Sequence, residues 1–261
     1  MSEIKYTWQD DSPFLDERLQ SYANSGCYPF HMPGHKRAPI EFPNPYSIDI
    51  TEIDRFDSLY HANGILKEAQ QRAADFYGAQ ETFFLVNGST TGILSAISAA
   101  VPRLGTLLMA RNSHKSAYNA VYLRGLETVY LLPTATEFGI SGSISPAHVA
   151  QALDDLPQIS AVYITSPTYD GVASDIRTIA EIVHAYDLPL IVDEAHGAHF
   201  ALSEEFPESA LDCGADLVIQ SMHKTLPCLT QTALLHVNSQ RIDRDALENF
   251  ISIYQTSSPS Y

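Results

Sequence analysis

Residues 82–100 read TFFLVNGSTTGILSAISAA, and this stretch decides the fold class. The apolar run Thr82–Val86 predicts a buried strand. A polar turn at Asn87 and Gly88 follows, and the small residues of Ser89–Ala100 predict a helix. A strand that leads directly into a helix is the repeating unit of a parallel α/β sheet.

The same alternation continues along most of the chain. Short apolar strands separated by helices predict a mostly parallel sheet that is covered on both faces, an α/β fold with three layers, α/β/α. Further helices are predicted over Ile65–Tyr77, His114–Leu123, Pro146–Leu153, Asp175–Tyr186 and from Asp243; further strands are predicted over Thr106–Ala110, Thr128–Leu131, Ala161–Thr165, Leu190–Val192, Leu217–Gln220 and Ala233–Val237.

The chain is predicted to have two parts. Residues 1–45 form an N-terminal arm, with a short helix over Phe14–Tyr22 and an irregular stretch rich in Pro, Gly and His over Tyr28–Pro45. Residues 46–261 form one large domain, in agreement with the length of the chain.

Composition narrows the function classes. The 261 residues include 15 basic and 31 acidic side chains, a formal charge of -16, and 45% are hydrophobic, which is enough for a large core. The acidic excess argues against a nucleic-acid or membrane partner. The chain has no secretory signal and no long apolar window, so a cytoplasmic location is predicted. The three cysteines have no metal-like spacing and are predicted to be reduced.

Polar clusters follow four of the predicted strands, at the strand ends where α/β proteins bind ligands. In the first cluster, Asn87–Gly92, backbone N–H groups at a helix N-terminus and several hydroxyls suit a phosphate. The alternative is an ordinary Ser or Thr helix cap. The chain contains no Gly-Lys dipeptide, so this turn is not a Walker A loop.

The second cluster is Asp193–His196, which reads DEAH. These letters also spell a helicase box, but the chain lacks a P-loop and a basic surface, so a strand-end carboxylate that faces a cation or a protonated nitrogen is the better interpretation. His196 and His199 lack the i, i+4 spacing of a helical zinc motif, and no metal site is predicted.

The remaining clusters supply an amine and an imidazole. Lys224, after the strand that ends at Gln220, is a candidate Schiff-base lysine, and the alternative is a surface lysine. His114, after Thr106–Ala110, is a candidate stacking or acid–base group, or otherwise a cap. A phosphate site, a stacking group, a strand-end Asp and a strand-end Lys, in this order, are what pyridoxal phosphate needs.

These motifs together resemble the bacterial ornithine/lysine/arginine decarboxylases with the aspartate-aminotransferase-like fold. The resemblance is carried by FHMPGHKR at 30–37, DITEID at 49–54, LVNGSTTG at 85–92, RNSHKS at 111–116, SPTYDG at 166–171, VDEAHGAH at 192–199, QSMHKT at 220–225 and QTSSPSY at 255–261. It implies a large domain of the pyridoxal-phosphate-dependent transferase type.

The resemblance also implies roles for individual residues. Lys224 would bind the cofactor covalently, Asp193 would pair with its ring nitrogen, and His114 and Ala195 would lie on the two faces of its ring. The phosphate would be bound by Ser89, Thr90, Ser221 and His223. Thr168 and His196 would lie near a cofactor oxygen or the substrate carboxylate, and His31, His35, Lys36 and Ser257–Ser258 would serve the site of a partner subunit.

The implied activity is decarboxylation of arginine, lysine or ornithine to CO2 and an amine of the polyamine pathway, by a homodimer or a higher homo-oligomer with a shared active site. Glu52, Asp54 and Asp57 are candidates for the distal cation of such a substrate. Another pyridoxal phosphate reaction, transamination or a lyase reaction, stays open as an alternative. Family members continue beyond TSSPSY, so the large domain is expected to be incomplete, and a noncatalytic fragment is a further alternative.

Overall fold

A seven-stranded sheet forms the centre of the computed structural model, which describes residues 11–38 and 41–260. The first ten residues of the predicted arm, residues 39–40 and Tyr261 lie outside the described residues. The strand order is β1-β7-β6-β5-β4-β2-β3. The strands are β1 Glu81–Leu85, β2 Thr106–Ala110, β3 Glu127–Leu131, β4 Ile159–Thr165, β5 Leu190–Asp193, β6 Leu217–Gln220 and β7 Ala233–Val237.

Helices connect most of these strands. They are α1 Leu15–Ala23, α2 Pro45–Ile48, α3 Ile65–Tyr77, α4 Ser89–Ala100, α5 Lys115–Arg124, α6 Pro146–Asp155, α7 Ile176–Ala185, α8 Met222–Thr225 and α9 Arg244–Tyr254, with short 3-10 turns at Leu59–His61 and Phe200–Leu202. In α7 the apolar residues Ile176, Ile179, Ala180 and Val183 are buried on one face, as the sequence periodicity predicts.

The sheet is mostly parallel, as predicted. Strands β3, β2, β4, β5 and β6 run in one direction, while β7 is antiparallel to both of its neighbours, β6 and β1. The connection from β6 to β7 is short, which an antiparallel pair allows and a parallel pair does not. Because β1 pairs antiparallel with β7, it points the same way as β6.

Helices cover both faces of the sheet and confirm the three-layer α/β/α architecture. On one face α4 and α9 bury Ile97 and Leu247 against strand residues such as Ile219. On the other face α6 and α7 bury Val149 and Ile179 against residues such as Val218. Each strand residue therefore faces one of two apolar layers, since neighbouring residues of a strand point to opposite faces.

Most predicted boundaries lie within a few residues of those in the structure. The predicted strand Thr82–Val86 is β1, and the predicted helix that starts at His114 starts at Lys115, with His114 as its N-cap. The four-residue helix α8 was not predicted, since one helical turn is too short to show an apolar period.

Side chains satisfy the outer edge of β1. The Phe84 N–H donates to Gln70 Oε1 at 3.0 Å, and the Val86 N–H donates to Gln255 Oε1 at 2.7 Å. These bonds replace the strand partner that an edge lacks. They also attach α3 and the end of α9 to the strand that leads into the Asn87–Gly88 turn.

A buried carboxylate joins the opposite, amino-terminal ends of β5 and β6. Asp216, whose side chain is 1% exposed, accepts from the Leu190 N–H at 2.8 Å and lies 2.8 Å from His184 Nε2. Arg241 Nη1 donates to its other oxygen at 3.3 Å. Removal of this carboxylate leaves a cationic guanidinium and a backbone donor without their buried acceptor.

We therefore expect Asp216→Ala to lower the free energy of unfolding by about 3 kcal/mol. Asp187→Asn is the matched control, because Asp187 also pairs with Arg241 but is 93% exposed. An exposed pair contributes less than about 1 kcal/mol. Urea unfolding followed by circular dichroism measures both variants, and equal midpoints for the two would contradict the prediction.

Candidate functional site

The predicted site residues follow strands that point in the same direction. Strands β2, β5 and β6 are parallel, and β1 shares their direction through β7. Their carboxyl ends therefore meet at one edge of the sheet, which is where ligands bind in this class of fold.

The turn between β1 and α4 has the backbone that an anion site needs. Gly88 has φ 75° and ψ 176°, a conformation in which a side chain is strained, and it supplies no side-chain cap to α4. The twelve-residue helix α4 thus begins with first-turn N–H groups that point towards the site, at the positive end of the helix dipole.

Hydroxyl groups from three elements surround this helix end. Ser221, directly after β6, donates from its Oγ to Ser89 Oγ at 2.8 Å, which joins the start of α8 to α4. Thr90 Oγ1 lies 3.0 Å from Ser116 Oγ of α5. Ser89 and Thr90 belong to the first turn of α4 and do not cap it, so the alternative interpretation as ordinary helix caps is not what the structure has.

The segment after α9 holds the same turn from outside. The Thr256 N–H donates to Asn87 Oδ1 at 2.9 Å, next to the bond between Gln255 and Val86. Gln255 and Thr256 open the QTSSPSY motif, and Asn87 opens the predicted phosphate cluster Asn87–Gly92, but the sequence did not predict the bond between these two segments. The sequence signal for Gln255 and Thr256 is a polar pair directly after a helix.

Asp193 lies at the end of β5 and is 2% exposed. The Tyr163 hydroxyl donates to its Oδ2 at 3.0 Å, and the Ala195 N–H donates to its Oδ1 at 3.1 Å. Burial raises the pKa of Asp193, and the positive charge of Lys224 opposes this effect. Both of these donors are neutral, so this carboxylate suits an additional protonated nitrogen in front of it.

Lys224 lies in α8 with its Nζ 3.0 Å from His196 Nε2. Burial lowers the pKa of the Lys224 amine, and the charge of Asp193 opposes this effect. Burial and the positive charge of Lys224 lower the pKa of His196 to about 4, so its imidazole is neutral at neutral pH. The ring of Tyr169 contacts His196 edge to face, with the centroids 5.5 Å apart.

His114 caps α5 at the end of the loop that follows β2. Its Nδ1 accepts from the Ser116 N–H at 3.3 Å and lies 2.8 Å from Ser116 Oγ. Partial burial lowers the pKa of His114, Asp193 opposes this, and Lys224 adds to it. The charges of Asp193 and Lys224 thus both act on this ring, so the three groups share one electrostatic environment.

Comparison with known proteins identifies the family. The sequence model of "Orn/Lys/Arg decarboxylase, major domain" matches residues 12–261. The chain belongs to the Orn/Lys/Arg decarboxylase family. It is 43% identical over 260 residues to the uncharacterized protein YaaO of Bacillus subtilis, a match that covers 95% of this chain and 53% of that protein.

Two further relatives of this decarboxylase-family chain carry functional names. It is 34% identical to an arginine decarboxylase of Bacillus subtilis, over 97% of this chain and 53% of that protein. The solved constitutive lysine decarboxylase of Escherichia coli superposes with a TM-score of 0.68 at 26% identity, over 94% of this chain and 38% of that one. The chain thus spans about half the length of the curated relatives it matches.

The other predicted cofactor and substrate residues surround this edge with contacts of their own. His223 Nδ1 donates to the Thr232 carbonyl at 3.0 Å. Thr168 is buried, and its Oγ1 accepts from the Val172 N–H at 3.1 Å, so it closes a turn. Ala195 is 3% exposed and follows Asp193 by two residues.

The N-terminal arm packs against the Lys224 segment of its own chain. The Gly34 N–H donates to the His223 carbonyl at 2.6 Å, and a Cβ at Gly34 would lie 2.4 Å from the Leu226 carbonyl oxygen, so only glycine fits there. Within the arm, His31 Nε2 lies 2.6 Å from the Tyr22 hydroxyl, and His35 Nδ1 accepts from the Arg37 N–H.

Asp57, one of the candidate acidic residues for the substrate cation, binds backbone groups of its own chain. Asp57 accepts from the N–H groups of Gly64 and Asn63, at 2.7 and 3.1 Å, and so fixes the start of α3.

Within residues 11–38 and 41–260, no three His, Cys, Asp or Glu side chains form a group that could hold a metal ion. In the same ranges, no helix is both long and apolar enough to span a bilayer.

The electrostatics of this decarboxylase-family site predict how Lys224 titrates. Acetic anhydride acetylates the unprotonated amine of Lys224, and the pH dependence of this reaction is expected to give a pKa below the ordinary value of 10.5. In Asp193→Asn this pKa falls further, because the carboxylate charge that favours the ammonium form is lost. Competitive labelling over a pH series, with peptide mass spectrometry, measures the titration, and the exposed Lys115 is the internal reference. An unchanged or higher midpoint in Asp193→Asn would refute the predicted effect of the Asp193 charge on the pKa of Lys224.

Proposed function

We propose that this chain carries the pyridoxal phosphate site of a basic amino acid decarboxylase. The observation that carries the proposal is the meeting of three groups at one sheet edge: the buried carboxylate of Asp193, the amine of Lys224 and the hydroxyl pair of Ser89 and Ser221 at the start of α4. Bound there, the cofactor would supply an electron-withdrawing ring that stabilises a carbanion at the substrate Cα.

The residues fit the cofactor part by part. A phosphate suits the N-terminus of α4, where Ser89, Thr90 and Ser221 place hydroxyls. A protonated ring nitrogen suits Asp193, because a cation in front of this buried carboxylate offsets the cost of its burial. Lys224 provides the amine for the cofactor carbonyl, and its lowered pKa increases the fraction that is unprotonated and nucleophilic.

Two histidines would complete the site. His196 Nε2 would accept a hydrogen bond from Lys224 Nζ, since the two atoms lie 3.0 Å apart and the imidazole is neutral. His114 would lie over the cofactor ring, held by Ser116 on the side of Nδ1. Ala195 would contact the other face of the ring, and Thr168, His223, His31 and His35 would contribute from the rim of the site or to a partner subunit.

The substrate class comes from the relatives. Proteins named arginine decarboxylase and lysine decarboxylase match nearly the whole chain, so we propose a basic amino acid that loses CO2 to give an amine of the polyamine pathway. We also propose a homodimer, because Phe30 on the arm and Tyr46 in α2 are each 91% exposed and a second copy would cover them. We propose that this dimer is cytoplasmic.

Binding of the cofactor tests the proposal directly. Pyridoxal phosphate added to the chain is expected to give a visible absorbance band that borohydride removes, with the reduced adduct on Lys224 in the peptide mass spectrum. Lys224→Ala is expected to lose the band because the amine is gone, and Lys115→Ala is expected to retain it. CO2 release from arginine, lysine and ornithine then identifies the substrate. A folded chain without the band would refute the proposed site.

The phosphate contact has a test of its own. Ser221→Ala is expected to weaken pyridoxal phosphate binding about tenfold, since a hydrogen bond to a charged group contributes about 1.5 kcal/mol. Binding of pyridoxal, which lacks the phosphate, should stay unchanged. Ser95→Ala is the matched control, since Ser95 is a buried serine further along α4. Both affinities come from fluorescence titrations, and an equal loss for both ligands would place the phosphate elsewhere.

A further inference from the structure

Two residues of the site each have a polar neighbour that faces the other side of the sheet. Asp193 is followed by Glu194, and Ser221 is preceded by Gln220. Adjacent residues of a strand point to opposite faces. Glu194 continues the strand pattern because its N–H donates to the Ile219 carbonyl at 2.9 Å. Glu194 and Gln220 therefore lie directly behind the site.

A continuous chain of hydrogen bonds starts from Glu194. Gln220 Nε2 donates to Glu194 Oε2 at 2.7 Å, and Gln220 Oε1 lies 3.2 Å from His236 Nε2. His236 Nδ1 lies 2.8 Å from Thr82 Oγ1. All four side chains are at most 1% exposed, so they form one buried chain from β5 through β6 and β7 to β1, which we call the back-face chain.

The donors and acceptors of the back-face chain are consistent in one direction. With Glu194 ionised, the Thr82 hydroxyl donates to His236 Nδ1, His236 Nε2–H donates to Gln220 Oε1, and the Gln220 amide donates to the carboxylate. Burial lowers the pKa of His236 to about 3, so its ring is neutral and carries a single proton.

The opposite direction pairs the same atoms. With a proton on Glu194 Oε2, the carboxyl group donates to Gln220 Oε1 after a flip of the amide. The amide then donates to His236 Nε2, and His236 Nδ1–H donates to Thr82 Oγ1. The Ala210 N–H, 2.7 Å from Glu194 Oε1, and the Ser209 hydroxyl, 3.1 Å from Oε2, keep their acceptor in both arrangements.

We propose that Glu194 is a buried proton-binding site and that uptake of one proton from solvent reverses the direction of the back-face chain. No other group of the back-face chain changes its charge. His236 exchanges the nitrogen that carries its proton, and Gln220 turns its amide. A cavity of about 170 Å³, lined by Glu194 and by Arg177 and Glu208, gives the proton a route from solvent.

The surroundings of Glu194 set the pH at which the reversal occurs. Burial raises the pKa of Glu194 to about 7, the donors Gln220, Ala210 and Ser209 oppose this, and the charge of Asp212 adds to it. The other titratable or charged groups that face it are Tyr77, Cys213, the Arg177–Glu208 ion pair and, on the opposite face, Asp193. Burial raises the pKa of Tyr77 to about 12 and that of Cys213 to about 11, so both stay neutral.

The tautomer of His236 reports the direction of the back-face chain. The protein is labelled with carbon-13 and nitrogen-15 in its histidines and studied without cofactor. The ring signals of His236 are expected to change from the Nε2–H form to the Nδ1–H form as the pH falls through about 7. The spectrum of His236→Gln assigns these signals. Retention of the Nε2–H form on both sides of neutrality would overturn the proposal.

Variants separate this reversal from a general effect of pH. In Glu194→Gln, the Ala210 N–H requires an oxygen at the position of Oε1, so the new amide donates to Gln220 and His236 is expected to be Nδ1–H at every pH. Glu208→Gln, at the same cavity but with its side chain 65% exposed, should titrate like the unchanged protein. Wild-type-like titration in Glu194→Gln would refute Glu194 as the proton site. No cofactor is needed, so this result is independent of the proposed function.

Discussion

The burial of the Asp193 carboxylate opposite neutral donors is the constraint on which the candidate site depends. A hydroxyl from Tyr163 and a backbone N–H from Ala195 orient the two oxygens but bring no positive charge. Burial therefore raises the pKa of Asp193, and the strongest effect that lowers this pKa is the positive charge of Lys224. A carboxylate in this state favours any cation that docks in front of it, and the neighbouring amine and hydroxyls define which cation fits.

The direction of the strands explains why these groups meet. Asp193, Ser221 and Ser89 follow strands that point the same way, although β7 separates β1 from β6 in the sheet. The single reversed strand β7 thus keeps the anion turn at the same edge as the carboxylate. Its inner position also lets His236 join Thr82 of β1 to Gln220 of β6.

Sequence patterns predicted most of the fold because its strands and helices carry clear apolar periods. The small residues of α4 and the spacing of Ile176, Ile179 and Val183 in α7 are examples. The same patterns placed Asp193 and Lys224 at strand ends, which parallel strands bring together. They did not predict α8, the packing of Gly34 against Leu226 or the bond between Thr256 and Asn87, because these features depend on contacts between residues distant in the sequence.

The two faces of β5 show how the same buried carboxylate chemistry gives different outcomes. Glu194 receives three neutral donors, one of which belongs to an amide that can turn and then accept, so a proton on Glu194 finds an acceptor within the protein. Asp193 receives two donors that are fixed in place, the backbone N–H of Ala195 and the hydroxyl of Tyr163, whose ring is buried in the core. Donors that are fixed in place leave Asp193 suited to an external cation, whereas the amide of Gln220, which can turn, leaves Glu194 suited to a proton. Asp193 and Glu194 share a peptide bond, and because neighbouring strand residues point to opposite faces, one short stretch of backbone carries both kinds of carboxylate.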